Sequence, residues 1–342
     1  MHKQMGIQYP SGKCALLVVL VCSLVPCGED LHGSASPTPR LAQQGYSPTT
    51  KTLLIANIGT GDQEKRSRLA AYDEVSGSIK WVAIPGNRAP IDFAWVPDRA
   101  AFVVTDLEEG VTLFQKDTSG NGYTPTRIQG PDGVFFSQCS WSPKGRWLAV
   151  NCLDRANVTR GALWLYQFGD KALEKTGLAV DHRPVTWGSD GLLYGTKDSE
   201  VLVVELTGGK PKVVRTVPLK RELTLFYGMF GAQPLFLSYD EIKLGDKTVV
   251  TLDRSAKFRV MATEKNIFLS VSSKYLGVFN TAGLEIARGN PGRLIKLGSV
   301  KDPNTVYGLA DSSLVCLSVT KGVLTIQTVA DLDNVTKTGS DR

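Results

Sequence analysis

The chain has 342 residues, 42% of them hydrophobic and 8% aromatic, and a net charge of +6 at pH 7. This small excess of positive charge does not indicate a nucleic-acid partner. Of the three histidines, only His182 lies in the region that is predicted to fold, which excludes a multi-histidine metal site.

Residues 1–27 are typical of a secretory signal peptide or an N-terminal membrane anchor. Lys3 and Lys13 flank a polar start, and an apolar run follows over residues 15–25. This run is too short to span a bilayer, which takes about 20 residues, but it has the length of the apolar core of a secretory signal. No later stretch is long and apolar enough to span, so we expect membrane association only through the N-terminus.

The end of this leader can be processed in more than one way. Small residues make cleavage after Cys27 or near 33–35 acceptable. Cys27 is also a candidate lipidation site, because Leu-Val-Pro-Cys resembles a bacterial lipoprotein signal. Pro26 stands where such signals carry a small residue.

Three further segments are predicted beyond the leader. Residues 28–50 contain three prolines among Ser, Thr, Gln and Gly, a composition that predicts a disordered linker. Residues 51–330 contain no second linker and are predicted to form one domain, because closed β architectures reach this length. Residues 331–342 are predicted to be a flexible tail.

Three tryptophans reveal a repeat inside the predicted domain. Trp95, Trp141 and Trp187 follow one another at intervals of 46 residues, and each leads into a polar turn and a second apolar run. A period of about 40 to 50 residues built from strands and turns predicts the blades of a β-propeller. We interpret the tryptophans as packing between blades.

The strand signals predict an all-β chain with seven blades, each a four-stranded antiparallel sheet. Only three strands are predicted for the first blade, at 52–58, 69–73 and 79–84. Six blades remain the alternative, if these N-terminal strands merge with the last unit to close the ring.

A family resemblance supports this fold. The segment 140–149, Ser-Trp-Ser-Pro-Lys-Gly-Arg-Trp-Leu-Ala, resembles the WD-like repeat of bacterial propellers, including the Tol-type translocation propellers. Weaker copies occur at 96–98 and 189–191, whereas the Gly-His and Trp-Asp signatures of eukaryotic WD repeats are missing. The resemblance implies a propeller and no particular partner.

Few residues of the sequence indicate a catalytic or metal-binding site. His182 follows Asp181, but no nucleophile is indicated near this pair, which favours a surface loop histidine over a general base. Residues 117–122 match the first half of a calcium loop, but Ile128 stands at the twelfth position, where an acid is required, so a hairpin turn is predicted. We predict no catalytic residue, cofactor or metal ligand, and the ligand-binding residues stay unassigned.

Other patterns have structural explanations. Cys139 and Cys152 are predicted to be free buried thiols, because the predicted strand register holds them too far apart for a disulfide. A basic cluster over residues 210–221 alternates with valines and favours the solvated face of an outer strand. Asn157 and Asn334 begin Asn-X-Thr sequons and are candidate glycosylation sites where the host permits.

These patterns favour an exported, non-catalytic propeller that acts as a protein- or polymer-binding scaffold in the periplasm, the cell envelope or outside the cell. Its expected partner is another envelope or extracellular protein. The alternative is a hydrolase or lyase acting on a glycan or peptide at the central channel. Carboxylates converging in the channel would favour the enzyme, whereas an exposed apolar patch would favour a protein partner.

Overall fold

The fold is all-β, as predicted. The computed structural model describes residues 41–56, 69–85, 90–106, 110–117, 122–219, 225–230, 233–253 and 256–332. Within these ranges, the backbone forms seven four-stranded antiparallel sheets, and no helix there has the length and hydropathy needed to cross a membrane. The seven-bladed β-propeller is therefore confirmed.

Each blade takes four consecutive strands, from the innermost to the outermost. In chain order they are β1 (Tyr46–Ser47), β2 (Thr52–Ala56), β3 (Leu69–Asp73) and β4 (Ile79–Val82) in blade 1; β5 (Asp92–Trp95), β6 (Ala101–Asp106), β7 (Gly110–Lys116) and β8 (Tyr123–Ile128) in blade 2; β9 (Val134–Trp141), β10 (Trp147–Asp154), β11 (Arg160–Gln167) and β12 (Glu174–Asp181) in blade 3; β13 (Thr186–Trp187), β14 (Leu193–Lys197), β15 (Glu200–Thr207) and β16 (Lys210–Pro218) in blade 4; β17 (Leu225–Phe230), β18 (Gln233–Ser238), β19 (Glu241–Leu244) and β20 (Lys247–Thr251) in blade 5; β21 (Phe258–Ala262), β22 (Asn266–Val271), β23 (Tyr275–Asn280) and β24 (Glu285–Gly289) in blade 6; and β25 (Lys296–Asp302), β26 (Thr305–Ala310), β27 (Ser313–Thr320) and β28 (Val323–Asp331) in blade 7.

The first strand of each blade lies toward the axis of the ring. The first strands of neighbouring blades contact one another, as β5 does with β9 and β21 with β25. The second strands are the most continuously buried, and every residue of β6 and β26 is inaccessible to solvent or nearly so. Neighbouring blades cover both faces of these strands, which explains their unbroken apolar runs.

The tryptophans pack between blades, as predicted. Trp95 lies in a cluster with Ala56 and Leu69 of blade 1. Trp141 is fully buried and packs with Val103 of blade 2, and Trp187 packs against the core that blade 3 shares with blade 4. Burying a large apolar side chain in this way stabilises the fold by roughly 1.5–3 kcal/mol.

In blade 1, a tyrosine takes the position that tryptophan occupies in blades 2 and 3. Tyr46 pairs with Leu53, just as Trp95 pairs with Phe102 and Trp141 with Leu148. Tyr46 is buried and contacts the Tyr307 ring of blade 7, with the ring centroids 5.5 Å apart. The repeat thus extends one blade further toward the N-terminus than the tryptophans indicate.

The ring closes between blades 7 and 1 without exchange of a strand, so the six-bladed alternative is wrong. At this closing seam, Glu74 accepts hydrogen bonds from Tyr46 and Lys301. The Lys301 ammonium also lies 5.7 Å from the centre of the Tyr307 ring. Burial raises the pKa of Glu74, but the Lys301 and Tyr46 hydrogen bonds outweigh it and leave that pKa below its ordinary value.

The domain limits differ from the predicted ones at both ends. Residues 41–50 fall inside the predicted linker, yet they contain β1 and the buried residues Ala42 and Tyr46. At the other end, Leu332 is 2% exposed and its N–H donates to the Ser312 carbonyl over 2.8 Å. Amino-acid composition does not predict that these two segments belong to the domain, because contacts with distant parts of the chain hold them in place.

Several predicted features lie outside the described residues. These are the leader over 1–27 with the candidate lipidation site Cys27, the remainder of the linker, the sequon at Asn334 and the last ten residues of the tail. The predictions made for them stay predictions.

Candidate functional site

The segment Leu41–Gly45, here called the central segment, ties blades together through its backbone. The Gln43 carbonyl accepts a hydrogen bond from the Val300 N–H of blade 7, at 3.1 Å. The Gln44 carbonyl accepts one from Trp95 of blade 2, at 2.9 Å, and the Gly45 carbonyl accepts one from blade 1, at 2.8 Å.

The side chains of this segment reach further around the ring. The Gln44 amide donates to the Trp141 carbonyl at 3.0 Å and accepts from the Trp141 N–H at 2.8 Å, which connects blade 1 to blade 3 past blade 2. Leu41 packs so closely on Gly298 of blade 7 that a Cβ there would lie 2.3 Å from the Leu41 Cβ. The central segment therefore occupies the middle of the ring.

A cavity of about 110 Å³ remains beside it. Exposed Gln43 borders this cavity together with residues of blades 4, 5 and 6, among them Thr186, Tyr227 and Met261. The described residues around it include no carboxylate. The volume has room for a few water molecules and is below the roughly 300 Å³ at which ligand pockets begin.

Tyr227 is the polar group of interest in this cavity. Its hydroxyl is buried and has no hydrogen-bond partner in the described structure. Burial raises the pKa of Tyr227, with the Arg259 charge acting in the opposite direction, so the phenol is neutral at physiological pH.

The loop that carries His182 is held between blades 3 and 4. The Asp181 carboxylate accepts hydrogen bonds from Thr196 Oγ1 at 2.6 Å, Arg183 N at 2.9 Å and Arg183 Nη1 at 2.5 Å. The Asn151 amide donates to the carbonyls of Asp181 and Arg183, at 2.8 and 3.0 Å. Asp181 thus positions the loop and does not orient the histidine.

His182 itself is half-buried, which differs from the exposed loop residue that the sequence predicts. Burial lowers its pKa, the neighbouring Arg183 charge lowers it further, and Asp181 opposes both effects. The imidazole is therefore neutral at pH 7, and the buried Nδ1 atom has no hydrogen-bond partner in the described structure.

The three cysteines of the described region are free, and Cys139 and Cys152 are buried, as predicted. The predicted register, which places Cys139 opposite Leu148 and Cys152 opposite Phe135, is wrong. Cys139 pairs with Val150 and Cys152 with Phe136, and a bulge separates the two pairs. Burial raises the pKa of all three thiols, and Asp92 adds to the effect at Cys139. These thiols are protonated at neutral pH and are poor nucleophiles.

The predicted hairpin at residues 117–122 is confirmed, and the candidate glycosylation site Asn157 stays a prediction. Asp117 N donates to the Gly122 carbonyl at 3.0 Å, which closes the hairpin between β7 and β8, and Ile128 is buried. Asn157 is exposed in the turn between β10 and β11, where its side chain accepts hydrogen bonds from Thr159.

A larger cavity, of about 350 Å³, opens on the face that carries the turns between second and third strands. Tyr239 and Asp240 contribute to it from the turn between β18 and β19, and Asp253, Ala256 and Phe258 from the connection to blade 6. We call this cavity the Tyr239 groove. The sequence signal that could have indicated this groove is an aromatic residue, Tyr239, in a turn between two strands.

Four exposed apolar side chains lie on the outer rim of blades 6 and 7. Leu284 and Ile286 lie at β24, and Val323 and Ile326 lie on β28, with exposures between 37% and 64%. The two strands contact each other. By contrast, the basic cluster at 210–218 forms β16, whose lysines and arginine are exposed, so its interpretation as an outer strand is confirmed there.

No protein-family model matches this chain, and no curated protein sequence matches it. Several solved structures do match this chain. Hsv2 of Kluyveromyces lactis aligns with a TM-score of 0.52 and 11% identity over 85% of this chain and 98% of Hsv2. A puromycin hydrolase aligns with a TM-score of 0.59 and 13% identity over 87% of this chain, which spans only 54% of the hydrolase chain.

Raptor of Chaetomium thermophilum also aligns, with a TM-score of 0.50 and 14% identity over 85% of this chain and 28% of Raptor. At such low identities the likeness establishes the fold and nothing about ligands or partners. The chain is a seven-bladed β-propeller with a WD40-like fold.

Proposed function

We propose that the protein is an exported, non-catalytic binding module of the cell envelope, and that an extended segment of a partner protein pairs with the outer edge of β28. The observation that carries this proposal is the chemistry of that strand. Pairing of an extended peptide with an exposed sheet edge is a recurring mode of recognition, in which backbone hydrogen bonds supply affinity and side-chain contacts supply specificity.

The β28 strand has the properties that this mode needs. It is nine residues long and pairs with β27 alone among the described strands. From Val323 to Ala330 it carries no charge, and Val323 and Ile326 are 64% and 39% exposed. Proteins ordinarily protect such edges with charged residues, proline or bulges. The pairing of β28 with β27 is irregular only near Val329, so residues 323–328 form a regular, uncharged and partly apolar edge that lacks this protection.

The equally long β16 is a natural comparison within the same molecule. It also forms the outer edge of its blade and exposes Val213 and Val214, but among these valines it exposes the charged residues Lys210, Lys212 and Arg215 as well. Lysine and arginine on an edge oppose strand addition, because pairing would desolvate their charges. We therefore assign the partner to β28 and not to β16.

Export is the sequence-derived part of the proposal. The leader over 1–27 has the charge and apolar length of a secretory signal. An exported propeller meets proteins of the envelope or the extracellular space, which makes such a protein the expected partner.

The test is crosslinked capture from the envelope fraction, with the mature protein and two variants as bait. Ile326→Lys places a charge on the β28 edge, and Val214→Lys places one on β16, where Val214 is 45% exposed. We expect the wild type and Val214→Lys to capture the same partner and Ile326→Lys to lose it. Equal capture by all three baits would overturn the proposal.

Sedimentation of the purified protein is the second readout. A monomer at all concentrations is expected. A dimer that Ile326→Lys abolishes would identify a second copy of this chain as the occupant of the edge and would contradict the assignment to another protein.

A further inference from the structure

The turn that borders the Tyr239 groove has an unusual backbone conformation. Tyr239 and Asp240 form a two-residue hairpin turn between the paired residues Ser238 and Glu241. The first residue of this turn has a φ of 55°, in the left-handed region that a bulky side chain rarely adopts.

Equivalent turns in other blades use a different residue at this position. The turn between β14 and β15 places Asp198 there with a φ of 56°, and the turn between β26 and β27 places Asp311 there with a φ of 53°. Aspartate tolerates this conformation because its short polar side chain bonds locally to the backbone. Blade 5 instead holds an aromatic ring there, 67% exposed to solvent.

Burial therefore cannot explain Tyr239. A residue held in a sparsely populated conformation points to a functional role when the surrounding structure fixes it. The turn is fixed here, because the Leu252 N–H donates to the Asp240 carbonyl over 2.7 Å. The adjoining loop is closed by the Ala256 N–H, which donates to the Asp253 carbonyl over 2.8 Å.

The groove combines an apolar floor with polar walls. Leu252, Ala256 and Phe258 supply apolar surface, while Asp240 and Asp253 supply carboxylate oxygens. Its volume of about 350 Å³ lies at the small end of ligand pockets, which span roughly 300–1,000 Å³.

We propose that the Tyr239 groove binds a neutral sugar ring, with the ring stacked on Tyr239 and its hydroxyls donating to Asp240 and Asp253. A pyranose has an apolar C–H face and a rim of hydroxyl donors, which match an exposed aromatic ring beside carboxylates. Carboxylate oxygens accept hydrogen bonds, so the hydroxyl donors of a sugar match them better than the acceptor oxygens of a phosphate ester. A cationic peptide offers donors but no apolar ring face to stack on Tyr239. A carboxylate that already has a protein partner can still accept from a sugar hydroxyl, because each one has about four acceptor sites.

The test measures binding of maltotriose, cellotriose and chitotriose, with trilysine as the cationic probe, by saturation-transfer NMR and calorimetry on the purified protein. Tyr239→Asn removes the ring and inserts a residue that tolerates the left-handed conformation, so the variant should fold with an unchanged or higher unfolding midpoint. Tyr239→Phe keeps the ring. Val75→Asn, at a side chain 82% exposed in another turn, is the matched control.

We expect at least one trisaccharide to bind, with signals strongest at the C–H face of one ring. Tyr239→Asn should weaken this binding by about tenfold or more, whereas Tyr239→Phe, Val75→Asn and Ile326→Lys should leave it unchanged. No binding of any trisaccharide, binding of trilysine alone, or binding that survives Tyr239→Asn would each overturn the inference. Because Ile326→Lys acts only on the β28 edge, failure here is distinguishable from failure of the proposed partner site.

Discussion

At the scale of single residues, the repeat was predictable and its exceptions were not. Trp95 and Trp141 follow from their spacing and occupy the positions between blades that their size suggests. Tyr46 takes the same position in blade 1, but it lies among prolines and glutamines that resemble a linker. Gln43 and Gln44 have no hydrophobic periodicity, and their role depends on partners more than 50 residues away in the chain.

Gln44 offers a direct prediction at this scale. Replacing it with alanine leaves the buried backbone N–H and carbonyl of Trp141 without their partner, which costs about 1–3 kcal/mol of unfolding free energy. Gln43→Ala is the matched control, because the Gln43 side chain is exposed and its backbone bond to Val300 survives the change. The free energies of unfolding of the two variants are measured in urea. Equal losses of stability in both would contradict the role assigned to the Gln44 side chain.

At the scale of elements, strand identity was easier to predict than register or burial. The sequence predicts β9 and β10 as a hairpin, but the apolar pattern does not reveal the register. The pairing of Cys139 with Val150 depends on the turn, and the pairing of Cys152 with Phe136 depends also on a bulge between the two pairs. It leaves the ligand-binding residues of the face loops unassigned, and Tyr239 lies in one of these loops. Turn residues are short-range choices, and their function depends on which loops come together in the ring.

The closing seam gives a prediction about pH at this scale. Glu74 has a lowered pKa in the folded protein, so its ion pair with Lys301 stabilises the fold above the ordinary glutamate pKa of 4.5, and this contribution is lost as the pH falls through the lowered value. Both side chains are 26% exposed, so solvent screening limits the effect to about 1 kcal/mol. Glu74→Gln should therefore be less stable than wild type at pH 7, and the difference should shrink at pH 3.

Urea unfolding at pH 7, 5 and 3 checks this. Glu285→Gln is the control, because Glu285 forms its ion pair with Arg288 within a single strand and the pair does not join two blades. The Arg288 side chain is 73% exposed. A seam variant whose deficit stays the same across this pH range would show that the Glu74 charge does not stabilise the seam.

At the scale of the whole molecule, the blade period predicts a propeller of seven sheets, because each sheet must bury both faces against neighbours, but it leaves six blades as an alternative. The same logic makes the sites hard to predict. Repeating residues form the packing between blades, whereas Tyr239, the β28 edge and the central segment are departures from the repeat. The candidate sites therefore lie where the sequence pattern is weakest.

The central claim is that a partner strand pairs with the outer edge of β28, and hydrogen exchange of the backbone amides tests it most directly. Amides of an edge strand that face outward are protected only when another strand accepts from them. With the partner recovered by crosslinking, we predict slower exchange at alternate amides between Val323 and Thr328, where the pairing of β28 is regular, and unchanged exchange along β16. Unchanged exchange in β28 on addition of that partner would contradict the account.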